Sequence, residues 1–148
     1  MKPFILAIAC FFWIPNGWHY NLEEATQIAQ REHKHILLNF SGSDWCGPCI
    51  LMRREILDNP DFLKMADSAL VLVNADFPRN KKDQLSISQQ KINNAMADRY
   101  NPEGKFPFTL LLNGEGKVLK VWDGMPDENP EQFANEVIHI IARDHTAP

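Results

Sequence analysis

Two cysteines with two residues between them are the part of this sequence best suited to chemistry. Cys46 and Cys49 enclose Gly47 and Pro48, and Trp45 precedes them. An apolar run and a polar loop lead into this stretch and a helical pattern follows it, and in such a setting the spacing is typical of a redox pair. At the start of a helix, unpaired N–H groups and the helix dipole favour a thiolate at the first cysteine.

The second cysteine lies one turn inside the predicted helix. We therefore expect Cys49 to be the more buried of the two and to resolve a mixed disulfide formed at Cys46. Gly47 lets a backbone approach closely, and Pro48 lacks an N–H where none is needed. The alternatives are a structural zinc half-site or two buried thiols. Zinc sites use four Cys or His ligands, and no second CxxC or paired-His motif is present, so we predict no metal site.

The run from Phe40 to Cys49, Phe-x-x-x-x-Trp-Cys-Gly-Pro-Cys, resembles the active-site stretch of the thioredoxin superfamily. Its Gly-Ser-Asp-Trp-Cys lead-in is most similar to that of small exported thioredoxin-like proteins of bacteria. The resemblance covers the chain from about Leu22 to the last helix. It implies an α/β protein with the thioredoxin fold, a central mixed β-sheet flanked by helices on both faces. It also implies a thiol–disulfide oxidoreductase that needs no cofactor beyond its redox disulfide.

A proline that opens a later strand fits the same resemblance. Pro107 follows a turn-rich loop and precedes Leu110-Leu111-Leu112, and a proline at the first residue of a strand interrupts no ladder. By resemblance it is the family's cis-proline, which packs against the CxxC pair and lets the preceding backbone pair with substrate. We expect Phe106 and Trp45 to line the docking surface.

One position departs from the family pattern. Thioredoxins carry a buried aspartate just before the aromatic residue of the first strand, whereas Asn39 precedes Phe40 here. The accompanying lysine is also absent, since the matching stretch of the next strand reads Leu72-Val73. We therefore expect resolution without a buried carboxylate, and we expect the nearer Asp44 to be exposed.

Length and composition indicate one soluble globular domain. The chain has 148 residues, enough for a real core, with 45% hydrophobic and 23% charged residues. A net charge of −4 without a basic block argues against nucleic acid as a partner. Three cysteines do not make a disulfide scaffold. We expect a monomer.

The N-terminal segment predicts export. A lysine at position 2 and an apolar run over 3–14 are typical of a secretory signal and too short for a comfortable membrane span. We divide the chain into a signal peptide at 1–17 and a thioredoxin-like domain at 18–148, located in the periplasm or cell envelope. Cys10, after Ala9, also resembles a lipoprotein acceptor site, which would anchor the protein. A buried first strand is the alternative.

Periodicity predicts the remaining elements. Helices are predicted over 22–33, 50–57, from 60, over 86–100 and over 131–142, and strands over 35–40, 70–77, 110–112 and 117–122. We expect an inward-facing set in the helix after the motif (Ile50, Met52, Ile56, Leu57) and a solvent-facing set of histidines (His33, His35, His139, His145).

The function predicted from these residues is the reduction of protein disulfides. Cys46 attacks a substrate disulfide and Cys49 displaces the product. The Gly-Pro dipeptide resembles reducing members of the superfamily. The partners would be disulfide-bearing proteins and an unidentified thiol redox partner. The alternatives are an oxidase or isomerase, a Cu(I)-handling protein that uses Met125 as a third ligand, and a binding module without turnover.

Overall fold

The computed structural model describes residues 17–146, in which five helices and four strands form. Apart from residue 17, the predicted signal peptide lies outside the described residues, and so does Cys10. The helices are α1 Leu22–Glu32, α2 Gly47–Met52, α3 Pro60–Ala69, α4 Ile87–Tyr100 and α5 Pro130–Thr146, with a π-helical turn Arg53–Leu57 continuing α2 and a 3₁₀ turn at Lys81–Asp83. The strands are β1 His35–Ser41, β2 Leu70–Asp76, β3 Phe108–Leu112 and β4 Val118–Asp123.

The four strands form one mixed sheet in the order β2-β1-β3-β4. β1 and β2 are parallel, while the β1–β3 and β3–β4 pairs are antiparallel. β3 and β4 form a hairpin, and β4 lies at the edge of the sheet. The expected mixed sheet is therefore present.

Alternation of side chains along the strands sorts the core onto two faces. In β1, Leu37 packs with α2, α3 and α5, whereas Ile36, Leu38 and Phe40 pack with α1 and α4. Helices therefore cover both faces of the sheet, as predicted. The same alternation turns Asn39 toward the face that carries α2, because it lies two residues after Leu37.

Side-chain caps fix three of the helix starts at or beside the predicted residues. Asn21 accepts hydrogen bonds from the backbone N–H groups of Glu23 and Glu24 ahead of α1. Asn59 caps α3, and Ser86 caps α4. Each side-chain oxygen satisfies donors that the first helical turn leaves unpaired.

The orientation predicted for one histidine is wrong. His35 is buried, with its Nε2 2.9 Å from Asp144 Oδ2 and its ring at a T-shaped 5.2 Å from that of His145. The end of α5 covers the start of β1, and local sequence gives no sign of this long-range contact. His33, His139 and His145 are exposed, as predicted.

One apolar residue after the motif also faces the wrong way. Ile50 is 45% exposed, whereas Met52, Ile56 and Leu57 are buried as predicted. At helical spacing Cys49, Met52 and Ile56 share the face against the sheet. Ile50 lies about 100° away from Cys49 around the helix, outside that face.

We expect the core under α3 to dominate stability. Phe62 is fully buried, with its ring 5.7 Å from that of Phe133. Phe62→Ala should lower the free energy of unfolding by about 3–5 kcal/mol through lost burial and the cavity left behind. Urea denaturation measures the loss. The control is Ile87→Ala at a 74% exposed site, where a change of at most about 0.5 kcal/mol is expected. Equal losses for the two variants would contradict the assignment of the core.

Candidate active site

The two cysteines of the motif form a disulfide at the start of α2. The S–S distance is 2.07 Å, and Cys46 occupies the N-cap position. The backbone N–H of Cys49 donates a hydrogen bond to Cys46 Sγ at 3.3 Å. Pro48 lies in the first turn, where its missing N–H leaves no donor unsatisfied. This arrangement stabilises negative charge that develops on the first sulfur of the pair.

Both sulfur-bearing residues are buried to nearly the same extent. Cys46 is 5% exposed and Cys49 4%, so the expected contrast in their burial is not found in the disulfide form. The covalent bond holds the two side chains together in one environment. Gly47 and Pro48 are exposed, and no heavy atom lies within 4 Å of a Cβ added at Gly47. The chain itself therefore leaves that position open.

An aromatic cluster lies beside the disulfide. The rings of Trp45 and Phe106 meet edge to face at 5.4 Å, and Phe77 lies 5.5 Å from Phe106. The Trp45 indole N–H donates to the carbonyl of Phe77 at 2.7 Å, and the guanidinium of Arg79 lies 3.5 Å over the indole. A side chain at Gly42 would overlap the indole ring. The structure thus brings together Trp45 and Phe106, which the sequence predicted to line one surface.

The peptide bond between Phe106 and Pro107 is cis, which confirms the prediction drawn from the family resemblance. Pro107 is buried, and its carbonyl accepts a hydrogen bond from the backbone N–H of Gly124 at 2.9 Å. β3 starts at the next residue, Phe108, which pairs with Phe40 at the end of β1. This proline therefore lies at the same end of the sheet as the loop that carries the cysteines.

Asp44 holds a second loop against the redox loop. Its carboxylate accepts backbone hydrogen bonds from Arg79 at 2.9 Å and from Asn80 at 2.6 Å. Desolvation, the largest single effect, acts to raise the pKa of Asp44, but these hydrogen bonds together outweigh it and lower the pKa. The side chain is half-buried, not exposed as predicted. Its oxygens are engaged, and it stays ionised at neutral pH.

A neutral hydrogen-bond network occupies the place of the family's buried charge. Asn39 Nδ2 donates to Asn74 Oδ1 at 2.9 Å, and Thr109 Oγ1 donates to Asn39 Oδ1 at 2.9 Å. Ser41 Oγ lies 3.1 Å from the same oxygen of Asn74 and 3.2 Å from Asp76 Oδ1, so its single hydrogen has two acceptors. The four neutral residues are buried. None of them ionises near neutral pH.

The prediction that Leu72-Val73 lies opposite Asn39 is wrong. The register of the parallel pair places Asn39 beside Asn74, two residues beyond Leu72. Sequence reasoning therefore missed Asn74, Ser41 and Thr109. A signal was available, because the strands His-Ile-Leu-Leu-Asn-Phe-Ser and Leu-Val-Leu-Val-Asn-Ala-Asp each carry an asparagine at the fifth residue.

A cleft of about 340 Å³ opens between this network and α2. Its lining includes the buried Asn39, Asn74 and Cys49 and the more exposed Arg53, Arg54 and Asp58. Cys46 does not contribute to it. Solvent can therefore approach the second cysteine from the side of the polar network.

Within residues 17–146, no group of three or more His, Cys, Asp or Glu side chains is placed to hold a metal ion. Met125, the sulfur ligand considered for Cu(I), packs against the hydrophobic cluster of α3 and α5. No helix in the same part of the chain is both long and apolar enough to cross a membrane.

Comparison with known proteins gives relatives of one kind. Thioredoxin-related protein DsbJ of Chlamydia pneumoniae is 28% identical over 127 residues, which cover 86% of this chain and 36% of that protein. Disulfide bond reductase DsbH of Chlamydia pneumoniae is 36% identical over 96 residues, 65% of this chain and 56% of that protein. The chain thus spans between about a third and just over half of the length of these relatives.

Solved structures agree with these sequence relatives. A structure of DsbH oxidoreductase superimposes with a TM-score of 0.77 at 28% identity, covering 87% of this chain and 86% of that one. A thioredoxin from Thermus thermophilus gives 0.63 at 16% identity over 88% and 90%, which shows the fold alone. The thioredoxin-like family model matches residues 17–114, more than half of the chain. The chain therefore belongs to the thioredoxin-like family and has the thioredoxin fold.

Proposed function

We propose that this protein is a thiol–disulfide oxidoreductase that reduces protein disulfides in the bacterial cell envelope. The observation that carries the proposal is the Cys46–Cys49 disulfide at the start of α2, with the Cys49 N–H directed at Cys46 Sγ. The names of the relatives, a disulfide bond reductase and a thioredoxin-related protein, support it.

The two cysteines carry two electrons from the protein to the substrate. In the reduced protein the Cys46 thiolate attacks one sulfur of a substrate disulfide, forming a mixed disulfide, and the other substrate sulfur leaves as a thiolate. Cys49 then attacks Cys46 Sγ, and the second substrate sulfur departs. The substrate gains two electrons and two protons as a dithiol, and the cysteine pair is oxidised to its disulfide.

The aromatic cluster provides a docking surface for the substrate chain. Trp45 and Phe106 border the disulfide, and partly exposed aromatic rings supply large contact areas at protein interfaces. The open space at Gly47 admits the backbone of a partner. Pro107 follows Phe106 and, by family resemblance, helps to place the substrate strand.

Reduction is the proposed direction, for two reasons. The dipeptide between the cysteines is that of reducing family members, and one relative is named as a reductase. Regeneration of the dithiol requires a thiol partner. Export rests on the predicted signal segment at 1–17. No observation favours the Cu(I) or binding-module alternatives, and we do not propose them.

The proton of Cys49 leaves without help from a buried carboxylate. Asn39 lines the same cleft as Cys49, and an amide cannot take a proton near neutral pH. Asp44 is ionised but engaged by two backbone N–H groups. Asp76 accepts hydrogen bonds from Ser41 and Ser43 and does not line the cleft that reaches Cys49. We therefore assign the acceptor role to solvent.

The roles of the two cysteines predict opposite trapping behaviour. Cys49→Ser should accumulate mixed disulfides between Cys46 and substrate proteins, because the resolving thiol is missing. Cys46→Ser should trap almost none. Non-reducing electrophoresis followed by mass spectrometry measures both. Equal trapping by the two variants, or trapping by Cys46→Ser alone, would contradict the assignment.

A carboxyl group at position 39 should make stability depend on pH. In Asn39→Asp, burial should raise the pKa of the introduced group above about 3.9, its value in the unfolded chain. Below that pH both states are protonated, and the carboxyl can still donate to Asn74. As the pH rises, the unfolded state ionises first, so stability falls until the pH passes the raised pKa. The loss is about 1.4 kcal/mol for each tenfold difference between the acid dissociation constants of the folded and unfolded states.

Urea unfolding between pH 4 and pH 8 measures this effect, with Asn94→Asp at an exposed site of α4 as the control. The rate at which Asn39→Asp resolves its mixed disulfide should also show an additional increase with pH, over the range in which the introduced carboxyl ionises. Two results would show that position 39 lies outside the proton path. One is a loss of unfolding free energy that is the same at pH 4 and at pH 8, and the other is a pH profile of the resolution rate identical to that of the wild type.

A further inference from the structure

A cationic loop borders the aromatic cluster beside the disulfide. The loop covers residues 77–86 between β2 and α4, and it carries Arg79, Lys81 and Lys82 against a single carboxylate, that of Asp83. All four of these residues are exposed. The chain as a whole has a net charge of −4, so the positive charge of this loop opposes the overall balance of the protein.

Hydrogen bonds to the redox loop fix the start of the cationic loop. The Asp44 carboxylate accepts the backbone N–H groups of Arg79 and Asn80. The carbonyl of Phe77 accepts the indole N–H of Trp45. Asp44 and Trp45 are the two residues directly before the first cysteine of the motif. The cationic loop therefore has a fixed position beside the segment that carries the nucleophile.

The guanidinium of Arg79 makes no ion pair within residues 17–146. Its central carbon lies 3.5 Å from the centre of the Trp45 ring. The charge of Arg79 attracts the Asp44 carboxylate, but that group is hydrogen-bonded to backbone N–H groups and not to the guanidinium. Contact with an aromatic ring occupies none of the five N–H donors of an arginine, so these donors are available to a group on another molecule.

The other flank of the aromatic cluster carries a neutralised cation. Lys105 directly precedes Phe106, and its ammonium group is paired with two carboxylates at 3.0 and 2.7 Å. Lys81 and Lys82 make no ion pair in the part of the chain that the structure describes. An approaching protein therefore meets uncompensated positive charge on the side of Trp45 and a paired lysine on the side of Phe106.

We propose that Arg79, together with Lys81 and Lys82 of the same loop, binds an acidic side chain next to the cysteine of a substrate disulfide. The inference rests on the proposed function and names the class of its substrates, which are proteins with a glutamate or aspartate beside the disulfide. A guanidinium in contact with an aromatic ring can still hold a carboxylate through two parallel hydrogen bonds. The two lysines add attraction at longer range, which raises the association rate of an oppositely charged partner.

Two disulfide peptides that differ only in a glutamate or a glutamine beside one cysteine test this preference. Second-order rate constants are measured for each peptide with the reduced full-length protein. Their ratio, glutamate over glutamine, is divided by the same ratio for dithiothreitol, which corrects for any effect of the glutamate on the peptide itself. The corrected ratio should exceed one. It should fall toward one when the salt is raised from about 0.1 M to about 1 M, because the Debye length shortens from about 10 Å to about 3 Å.

Arg79→Gln removes the charge and keeps the backbone N–H that Asp44 binds. The corrected ratio should fall by up to about fivefold, the scale of an exposed charge pair. The matched control is Arg99→Gln. Arg99 is also exposed, makes no ion pair within the described residues and lies 4.9 Å from the centre of an aromatic ring, that of Tyr100. Its guanidinium is close to Gly116 in the β3–β4 hairpin, at the end of the sheet away from the disulfide, so the ratio should not change.

Further variants separate charge from contact with the indole ring. Arg79→Lys keeps the charge and should retain most of the preference, whereas glutamine at positions 79, 81 and 82 together should abolish it. A corrected ratio near one in the wild type, a ratio that Arg79→Gln leaves unchanged, or an equal fall in Arg99→Gln would overturn the proposal. So would a ratio in Arg79→Lys as low as that in Arg79→Gln. Failure of the reduced protein to reduce either peptide would overturn the proposed function, and this inference with it.

Discussion

The hydrogen bond between Asn39 and Asn74 joins two strands beside the redox pair, and the proposed loss of the Cys49 proton to solvent depends on this amide pair being neutral. Thr109 from a third strand and Ser41 complete it with neutral donors, and Ser41 also contacts the carboxylate of Asp76. Loss of one partner would leave a buried polar atom unpaired at a cost of about 1–3 kcal/mol. A charge in the same place would instead couple its own titration to that of the thiols.

The sheet gives the disulfide two unlike sides. On one side the aromatic rings of Trp45, Phe106 and Phe77 form a cluster, which is the proposed docking surface and is held in place by the Trp45–Phe77 hydrogen bond. On the other side α2 and the asparagine pair enclose a polar cleft too small for a polypeptide domain. The cleft reaches Cys49 and not Cys46, so the two sulfurs of the disulfide differ in what lies beside them.

Local patterns predicted most of the fold, and long-range contacts account for the misses. The CxxC spacing and the strand-opening proline are each recognised within a few residues of sequence, and the structure has both in place. The burial of His35 depends on α5, more than 100 residues later in the chain. The pairing of Asn39 with Asn74 depends on a strand register, which follows only when two apolar strands are aligned residue by residue.

The direction of electron flow is the central claim, and the midpoint potential of the Cys46–Cys49 pair tests it most directly. Equilibration of the protein with dithiothreitol buffers, followed by alkylation and mass spectrometry, gives this value. A reductase should lie near about −270 mV, where thioredoxin lies. A value near about −120 mV, typical of a strong disulfide-forming oxidant, would contradict the account and assign the protein to oxidation.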